Sequence, residues 1–332
     1  MDQPFTVVVC TPDVDAALAA AVAGRVAEGR AEALVFSSDE LPAFFESEAQ
    51  RRLPRGYDLT LCGHQVVHVD WDGRLVRPVL MKRLRQFVGL VRWFGREPWQ
   101  PEDRRALEHM IGAENLVIAE TGVPLAEVLL ERAGAGADEY VHDLARCGAG
   151  NLSDGQEREW GAELRRVLTY LKADRQALGG VVGELVEANV EGVVEEHAEQ
   201  ARQREQQVRS FAEANADDVR PMGSRRLVTV PVPRDKHAFW AETGAFARAA
   251  SEAQLSLCHL QGRLVMVLAR EADLRADLRS WARYVTDLMP EAQTVGARPD
   301  TVPLVVDGLD DDPDLLKVVL DLLADGAHLL RE

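Results

Sequence analysis

The sequence predicts an α/β fold: a doubly wound, mostly parallel sheet domain, a helical connector and a smaller α+β C-terminal domain. Up to about residue 119, short runs of β-branched apolar residues alternate with helical stretches, as in parallel sheets whose strands are joined by helices. From about residue 124 to 214 the pattern is helical throughout, and strands return after residue 225. We therefore expect domains over residues 1–150 and 225–332, joined by a connector over residues 151–216.

The first domain contains predicted strands separated by helices. Phe5–Cys10 is an apolar, β-branched run typical of a buried strand. The Ala-rich stretch Ala16–Ala27 predicts a helix packed closely on the sheet. Pro101 and two acids open another helix, as the helix dipole favours. The other predicted strands are Ala33–Phe36, Asp58–Cys62, Leu90–Phe94 and Asn115–Ala119, and a further helix spans Met81–Phe87.

The connector and the C-terminal domain follow. Apolar residues recur at helical spacing in Glu157–Leu171. Glu195–Ala214 is rich in Glu, Gln and Arg, which favours a solvated helix bridging two domains, or else a dimer-forming helix or a partner site. The polar stretch Asp217–Ser224 predicts a linker. Later strands are predicted at Arg226–Val232, Leu255–Leu260, Arg263–Ala269 and Thr301–Val306, with helices at Ala238–Ala250, Leu274–Leu288 and Pro313–Leu323.

The net charge, the apolar runs and the cysteine spacing each disfavour certain classes of function. The net charge is −17, with 55 acids against 38 bases, and this repels nucleic acid at long range, although a local basic groove could still bind a strand. No apolar run approaches the roughly 20 residues that cross a bilayer, and no basic leader opens the sequence. The four cysteines show no zinc or disulfide spacing, so we expect buried free thiols and a cytoplasmic protein.

The segment Leu90–Trp99 carries a family resemblance. A predicted strand runs into an aromatic-rich turn and ends on Gly95-Arg96-Glu97, followed by Pro98-Trp99. With the order of elements along nearly the whole chain, this resembles the DHH phosphoesterase superfamily and its DHH-associated C-terminal domain. The resemblance implies Asp-His-His at the three signature positions. An arginine cannot coordinate a divalent ion, so the catalytic metal site is expected to be degenerate.

The first motif of that family is His-x-Asp-x-Asp-Gly, and here it reads Thr11-Pro12-Asp13-Val14-Asp15-Ala16. Two carboxylates at this spacing after a strand can face one hard cation, while the alternative is that they cap the following helix. The second motif's acid falls at Gly63-His64, where His64 is a candidate ligand or a structural residue. Residual metal candidates are therefore Asp13, Asp15 and His64.

Two further segments bear on ligand binding. His68–Gly73 matches the first motif letter for letter, but alternating apolar residues and Asp72-Gly73 favour a β-hairpin. The resemblance places a Gly-Gly-His phosphate motif near residue 296, where Gly296 and Arg298 stand. Arginine grips phosphate bidentately, so an anion site at Gly296 and Arg298, or a plain surface loop, is expected there, facing the cleft that receives substrate in the family.

The leading hypothesis is a non-hydrolytic binding module for a nucleotide, a short single strand or a protein partner. Its ligand-binding residues would be Arg96, Gly296 and Arg298, and no cofactor is expected. One alternative is an active Mn²⁺-dependent phosphodiesterase on short oligonucleotides or cyclic dinucleotides, with a rearranged metal site. The other is a structural assembly subunit. A protein partner and a homodimer are expected, and a membrane is not.

A geometric expectation accompanies the degenerate motif. If the signature turn lies beside the first motif, the Arg96 guanidinium should occupy the position of the missing cation. It should then pair with Asp13 or Asp15, because the two carboxylates would otherwise repel one another.

Overall fold

The computed structural model describes residues 5–27, 29–49, 56–68, 70, 74–97, 99–120, 122–133, 137–263, 265–271, 274, 276–294, 300–309, 312 and 314–330. The chain divides into two compact units. The first comprises residues 1–66 and 76–202, and the second comprises residues 67–75 and 203–332.

The first unit is built on a five-stranded sheet in the order β2-β1-β3-β4-β5, and every neighbouring pair is parallel. Parallel strands place all their carboxyl ends at one edge, where open α/β sheets commonly bind ligands. The strands are β1 (Phe5–Cys10), β2 (Arg30–Val35), β3 (Asp58–Cys62), β4 (Val91–Arg96) and β5 (Leu116–Ala119).

Helices cover the sheet of the first unit. The Ala-rich α1 is buried along Ala16–Gly24, because its small side chains let neighbouring elements approach closely. A turn at Asp154–Gln156 and a π-helical turn at Glu157–Gly161 lead into α7. The helices are α1 (Val14–Val26), α2 (Leu41–Glu46), α3 (Arg77–Gln86), α4 (Pro101–Ile111), α5 (Leu125–Ala133), α6 (Glu139–Ala149), α7 (Ala162–Leu171) and α8 (Arg175–Val186). A further helix, α9 (Val190–Ala214), includes residues of both units.

The second unit contains a six-stranded sheet in the order β10-β11-β9-β8-β7-β6. Among the described strands of this sheet only the β7–β8 pair is parallel, and a helix connects these two. The strands are β6 (Val219–Met222), β7 (Arg225–Val232), β8 (Leu255–Leu260), β9 (Val265–Arg270), β10 (Ala292–Thr294) and β11 (Thr301–Val306). The helices are α10 (Trp240–Ser251), α11 (Leu278–Leu288) and α12 (Asp314–Asp325).

This architecture confirms the predicted fold class of a parallel α/β sheet domain with a separate, smaller mixed-sheet domain. The predicted linker Asp217–Ser224 was wrong in part, because Val219–Met222 pairs antiparallel with β7. Gly223, with φ +64, and Ser224 form the tight turn between these strands, and Pro221 is tolerated because β6 is an edge strand. The domain boundaries given above stay predictions.

The hairpin predicted around Asp72-Gly73 lies mostly outside the described residues. Val66 and Val67 belong to no strand, while the Asp70 backbone amide donates to the Arg74 carbonyl at 2.9 Å. All four cysteines are buried and free, as predicted. Among the described helices, none combines the length and apolar character that a membrane crossing needs.

The close approach of α1 to α8 is testable at Gly24. A Cβ built at Gly24 would lie 2.6 Å from Val186 Cγ2, whereas one at Gly180 would meet nothing within 4 Å. Both substitutions to Ala gain the same helix propensity, of about 1 kcal/mol. We expect Gly180→Ala to raise the free energy of unfolding. The free energy of unfolding of Gly24→Ala should be lower than that of Gly180→Ala by roughly 1–3 kcal/mol, because overpacking opposes the gain. Urea denaturation measures both, and equal effects would contradict the close packing.

Candidate functional site

The candidate site lies at the carboxyl ends of β1, β3 and β4, where the sequence motifs meet. Asp13 and Asp15 follow β1, Gly63 and His64 follow β3, and Arg96 ends β4. The segments after the strands are joined by backbone hydrogen bonds: Thr11 N donates to the Cys62 carbonyl at 3.1 Å, and Gly63 N donates to the Phe94 carbonyl at 2.9 Å. The parallel sheet thus brings together Asp13 and Arg96, which are 83 positions apart in the chain.

Asp13 is the N-cap of α1. Its Oδ1 accepts a hydrogen bond from the Ala16 backbone amide at 3.0 Å, and its Oδ2 accepts one from Thr11 Oγ1 at 2.6 Å. A capping carboxylate satisfies an unpaired amide at the helix start and interacts favourably with the helix dipole. The capping interpretation of this residue is therefore confirmed.

Asp15 connects α1 to the start of α5. Its two oxygens accept from the Leu125 backbone amide at 3.0 and 3.2 Å, so this carboxylate satisfies the first amide of a helix 110 residues away in the chain. Burial raises the pKa of Asp15 above its usual value, although the Arg96 guanidinium and the Leu125 amide act in the opposite direction. The group is thus a partly desolvated carboxylate held between two helices.

The Arg96 guanidinium bridges both aspartates. Its Nη2 lies 2.9 Å from Asp13 Oδ1, and its Nη1 lies 3.4 Å from Asp15 Oδ2. Burial alone would lower the pKa of Arg96, but the two carboxylates outweigh it and the pKa is raised. The expected pairing is therefore confirmed, and one permanent positive charge is shared by two acids in a half-buried setting.

The other two signature positions offer no ligand to this cluster. A Cβ at Gly95 would lie 2.7 Å from Trp99 Cζ2, because the indole packs directly over the glycine backbone. Glu97 is exposed, and its backbone amide donates to the Ala119 carbonyl at 3.1 Å. Of the three signature residues, only Arg96 takes part in the cluster.

Gly63 is one of the two residues, with His64, at which the resemblance places an acid. Its φ is +80, and a Cβ there would lie 2.4 Å from Thr11 Oγ1 and 2.5 Å from Ala16 Cβ. Thr11 and Ala16 are the residues that replace the His and Gly of the first motif. Their side chains fill the space that a side chain at position 63 would need, so the departures from the two motifs fit one another sterically.

His64 is completely buried and lies edge-on to Trp93, with ring centroids 6.5 Å apart. Neither ring nitrogen has a well-formed hydrogen bond within the described residues. Burial lowers the pKa of His64 to about 3, although the Asp13 carboxylate and the Val9 carbonyl favour the charged form. The imidazole is therefore neutral at physiological pH, and its role as a metal ligand stays a prediction.

The resemblance implies a manganese pair, and the residues present do not fit one. A two-metal site needs bridging carboxylates holding ions about 3.5–4 Å apart. Here each oxygen of Asp13 and Asp15 already accepts a hydrogen bond from the protein, and a guanidinium takes the place beside them. Positions 63 and 95 carry no side chain, so the donors that the described residues bring to this cluster are too few for two ions.

Other sequence candidates lie outside this cluster. Gly296 and Arg298 lie outside the described residues, as does Asp72. Sequence reasoning did not find Thr11, although its hydroxyl stands two residues before a capping acid. No residue pattern in the sequence points to the contacts of the Leu125 amide or the Trp99 indole.

The chain resembles known proteins in structure but matches none in sequence. No protein-family model and no curated protein sequence matches the chain. Among solved structures, exonuclease RecJ bound to manganese aligns with a TM-score of 0.59 at 11% identity, over 98% of this chain and 90% of that one. RecJ from Thermus thermophilus in complex with Mn²⁺ gives a TM-score of 0.62 at 12% identity, over 99% of this chain and 53% of that one.

A third structure is the DHH domain of a member of a ribosomal protein family. It aligns with a TM-score of 0.65 at 12% identity, over 99% of this chain and 88% of that one. Identities this low are evidence for the fold alone, but the structural alignments cover nearly the whole chain. This chain therefore has the fold of the DHH superfamily.

Proposed function

We propose that this protein is a DHH-type fold that has lost hydrolysis and acts as a binding module for a nucleotide or a short single strand, or for a protein partner. The observation that carries the proposal is the Arg96 guanidinium, placed 2.9 Å from Asp13 and 3.4 Å from Asp15. A divalent ion entering this position would meet a fixed positive charge instead of a vacant pair of carboxylates.

The loss of the metal position is supported by the hydrogen bonds that both carboxylates of the cluster already accept. Asp13 caps α1, Asp15 holds the first amide of α5, and Arg96 neutralises part of their charge. Removing one partner from such a set leaves a desolvated charge unpaired, which is unfavourable. The cluster therefore has a structural role of its own, and a metal would have to displace hydrogen bonds that the fold uses.

Ligand binding is supported by the fold and by the arginines at altered motif positions. The two RecJ structures contain manganese, and the present chain carries arginine at two motif positions, Arg96 and Arg298. Arginine binds phosphate bidentately without any metal. We therefore assign anion recognition to these arginines and to Gly296, in place of metal-assisted cleavage.

The first prediction concerns catalysis. The purified protein should give no Mn²⁺-dependent hydrolysis of bis(p-nitrophenyl) phosphate, because the donor set cannot hold two ions. Release of p-nitrophenol is followed with and without manganese, and Asp13→Ala serves as the control for contaminating activity. Manganese-dependent turnover that disappears in Asp13→Ala would overturn the proposal.

The second prediction concerns the guanidinium. Arg96→Ala should lower the free energy of unfolding by roughly 1–3 kcal/mol, since the carboxylates lose their counter-charge in a half-buried setting. Added Mn²⁺ should then raise the Tm of the variant by binding in place of the guanidinium, and leave the wild-type Tm unchanged. The matched control is Arg92→Ala on the same strand, whose exposed pair with Asp58 at 3.7 Å should contribute little. An equal manganese shift in wild type and Arg96→Ala would contradict the idea that Arg96 excludes the ion.

The third prediction concerns the ligand. A labelled short oligonucleotide should bind weakly and lose affinity with salt, because phosphate contacts release counterions. Arg298→Ala should weaken binding and reduce the slope of log K against log salt by about 1, as expected for one phosphate contact. Arg226→Ala, a surface arginine of β7, is the control. Undetectable binding at low salt, or equal binding by Arg298→Ala and wild type, would favour a structural assembly role.

A further inference from the structure

A cluster of one imidazole and two carboxylates lies where α8 is joined to α9. Glu184 belongs to the last turn of α8, and Glu196 and His197 belong to α9. Each of the three side chains offers a ligand atom, and these atoms all lie within 4.8 Å of one another. All three residues are part of the first unit, and none of them contributes to the cluster around Arg96. The helical hairpin therefore brings one nitrogen and two oxygen donors into a small volume.

The connection between the two helices orients Glu184. Ala188 has φ +63, a conformation that is uncommon for a residue with a side chain, and the Asn189 backbone amide donates to the Glu184 carbonyl at 3.0 Å. The Asn189 side chain accepts from the Gly192 amide at 3.2 Å and donates to Glu184 Oε2 at 2.9 Å. One amide thus caps the start of α9 and holds a carboxylate of α8, as hydrogen-bond partners commonly do for metal ligands.

His197 gives the cluster its chemical character. Its side chain is only 16% exposed, and its Nε2 lies 4.0 Å from Glu196 Oε1, which is too long for a hydrogen bond. In the part of the chain that the structure describes, no hydrogen bond of ordinary length reaches this ring. A mostly enclosed imidazole beside two carboxylates is a donor set that a transition-metal ion can satisfy, since neutral imidazole is a common metal ligand.

The charge of this part of the chain favours a cation. Residues 176–201 contain six Glu residues and no Lys or Arg. The Arg25 guanidinium reaches the end of α8 and donates to the Val186 carbonyl at 3.3 Å, but its charge is paired with Asp138 at 3.1 Å. Carboxylates that lie close together disfavour each other's charged form, and a divalent cation between them removes that repulsion.

We propose that Glu184, Glu196 and His197 bind one zinc ion, with water as the fourth ligand. Imidazole nitrogen and carboxylate oxygen bind zinc at about 2.0–2.2 Å. The Glu196 side chain is 68% exposed, so it can move to bring the three donors to that distance. The imidazole favours zinc over magnesium and calcium, which prefer oxygen alone, and such sites bind zinc more tightly than manganese.

Bound zinc would cross-link α8 to α9 and stabilise the hairpin, because a ligand of the folded chain adds to its stability. The site shares no residue with the cluster around Arg96 or with the arginines assigned to anion recognition. Either assignment can therefore fail without the other.

The test titrates the untagged full chain, freed of metal with EDTA and dialysed, with Zn²⁺, Mn²⁺ and Mg²⁺. Isothermal calorimetry measures affinity, and thermal unfolding measures the Tm. We expect saturable zinc binding that raises the Tm, and binding of manganese and magnesium that is at least tenfold weaker. No saturable zinc binding would overturn the proposal. Magnesium binding as tight as zinc binding would also overturn it, because that result describes an acidic surface without a zinc site.

Matched variants locate the ion. Glu196→Gln removes a donor on an exposed side chain, and Glu195→Gln makes the same change at the adjacent exposed acid. Zinc affinity should fall at least tenfold in Glu196→Gln and in His197→Ala, and stay unchanged in Glu195→Gln. Thermal unfolding of the metal-free variants checks that each is folded, and Glu196→Gln decides the result if His197→Ala is not. Equal zinc affinity in the two Gln variants would overturn the proposal, as would loss of zinc binding in Asp13→Ala.

Discussion

The ion pair of one guanidinium with two carboxylates is the interaction on which the carboxyl edge of the first sheet depends. Asp13 and Asp15 are fixed by helix starts, one at α1 and one at α5, so neither can turn away from the other to relieve repulsion. Arg96 ends the neighbouring β4 and reaches both. Without this charge the helices would be anchored on two partly desolvated acids, an arrangement that costs stability.

The residues around this ion pair are adjusted to one another. Ala16 and Thr11 occupy the space beside Gly63, and Trp99 occupies the space beside Gly95. In each case a bulkier neighbour is tolerated because the facing position has no side chain. A side chain introduced at position 63 or 95 would clash with these neighbours unless they shifted.

The overall charge of the chain hides a strong local variation. A net charge of −17 suggests a surface that repels phosphate, yet burial and then the nearby charges of Arg263 and Arg234 lower the pKa of His237, which follows β7. Screening restricts such charge effects to about 10 Å at ordinary ionic strength. The net charge alone therefore does not describe the surroundings of an individual residue.

The sequence by itself determined the class of fold and the heart of the first cluster. Alternating strands and helices predict a parallel sheet, and the family resemblance placed the turn of Arg96 beside Asp13 and Asp15, so their pairing could be predicted. Only the tertiary structure decided the rest. The Leu125 amide lies 110 residues from Asp15, the Trp99 indole folds back over Gly95, and β6 forms where a linker was expected. These contacts depend on backbone amides, steric fit and edge pairing, which carry no signal in residue type or spacing.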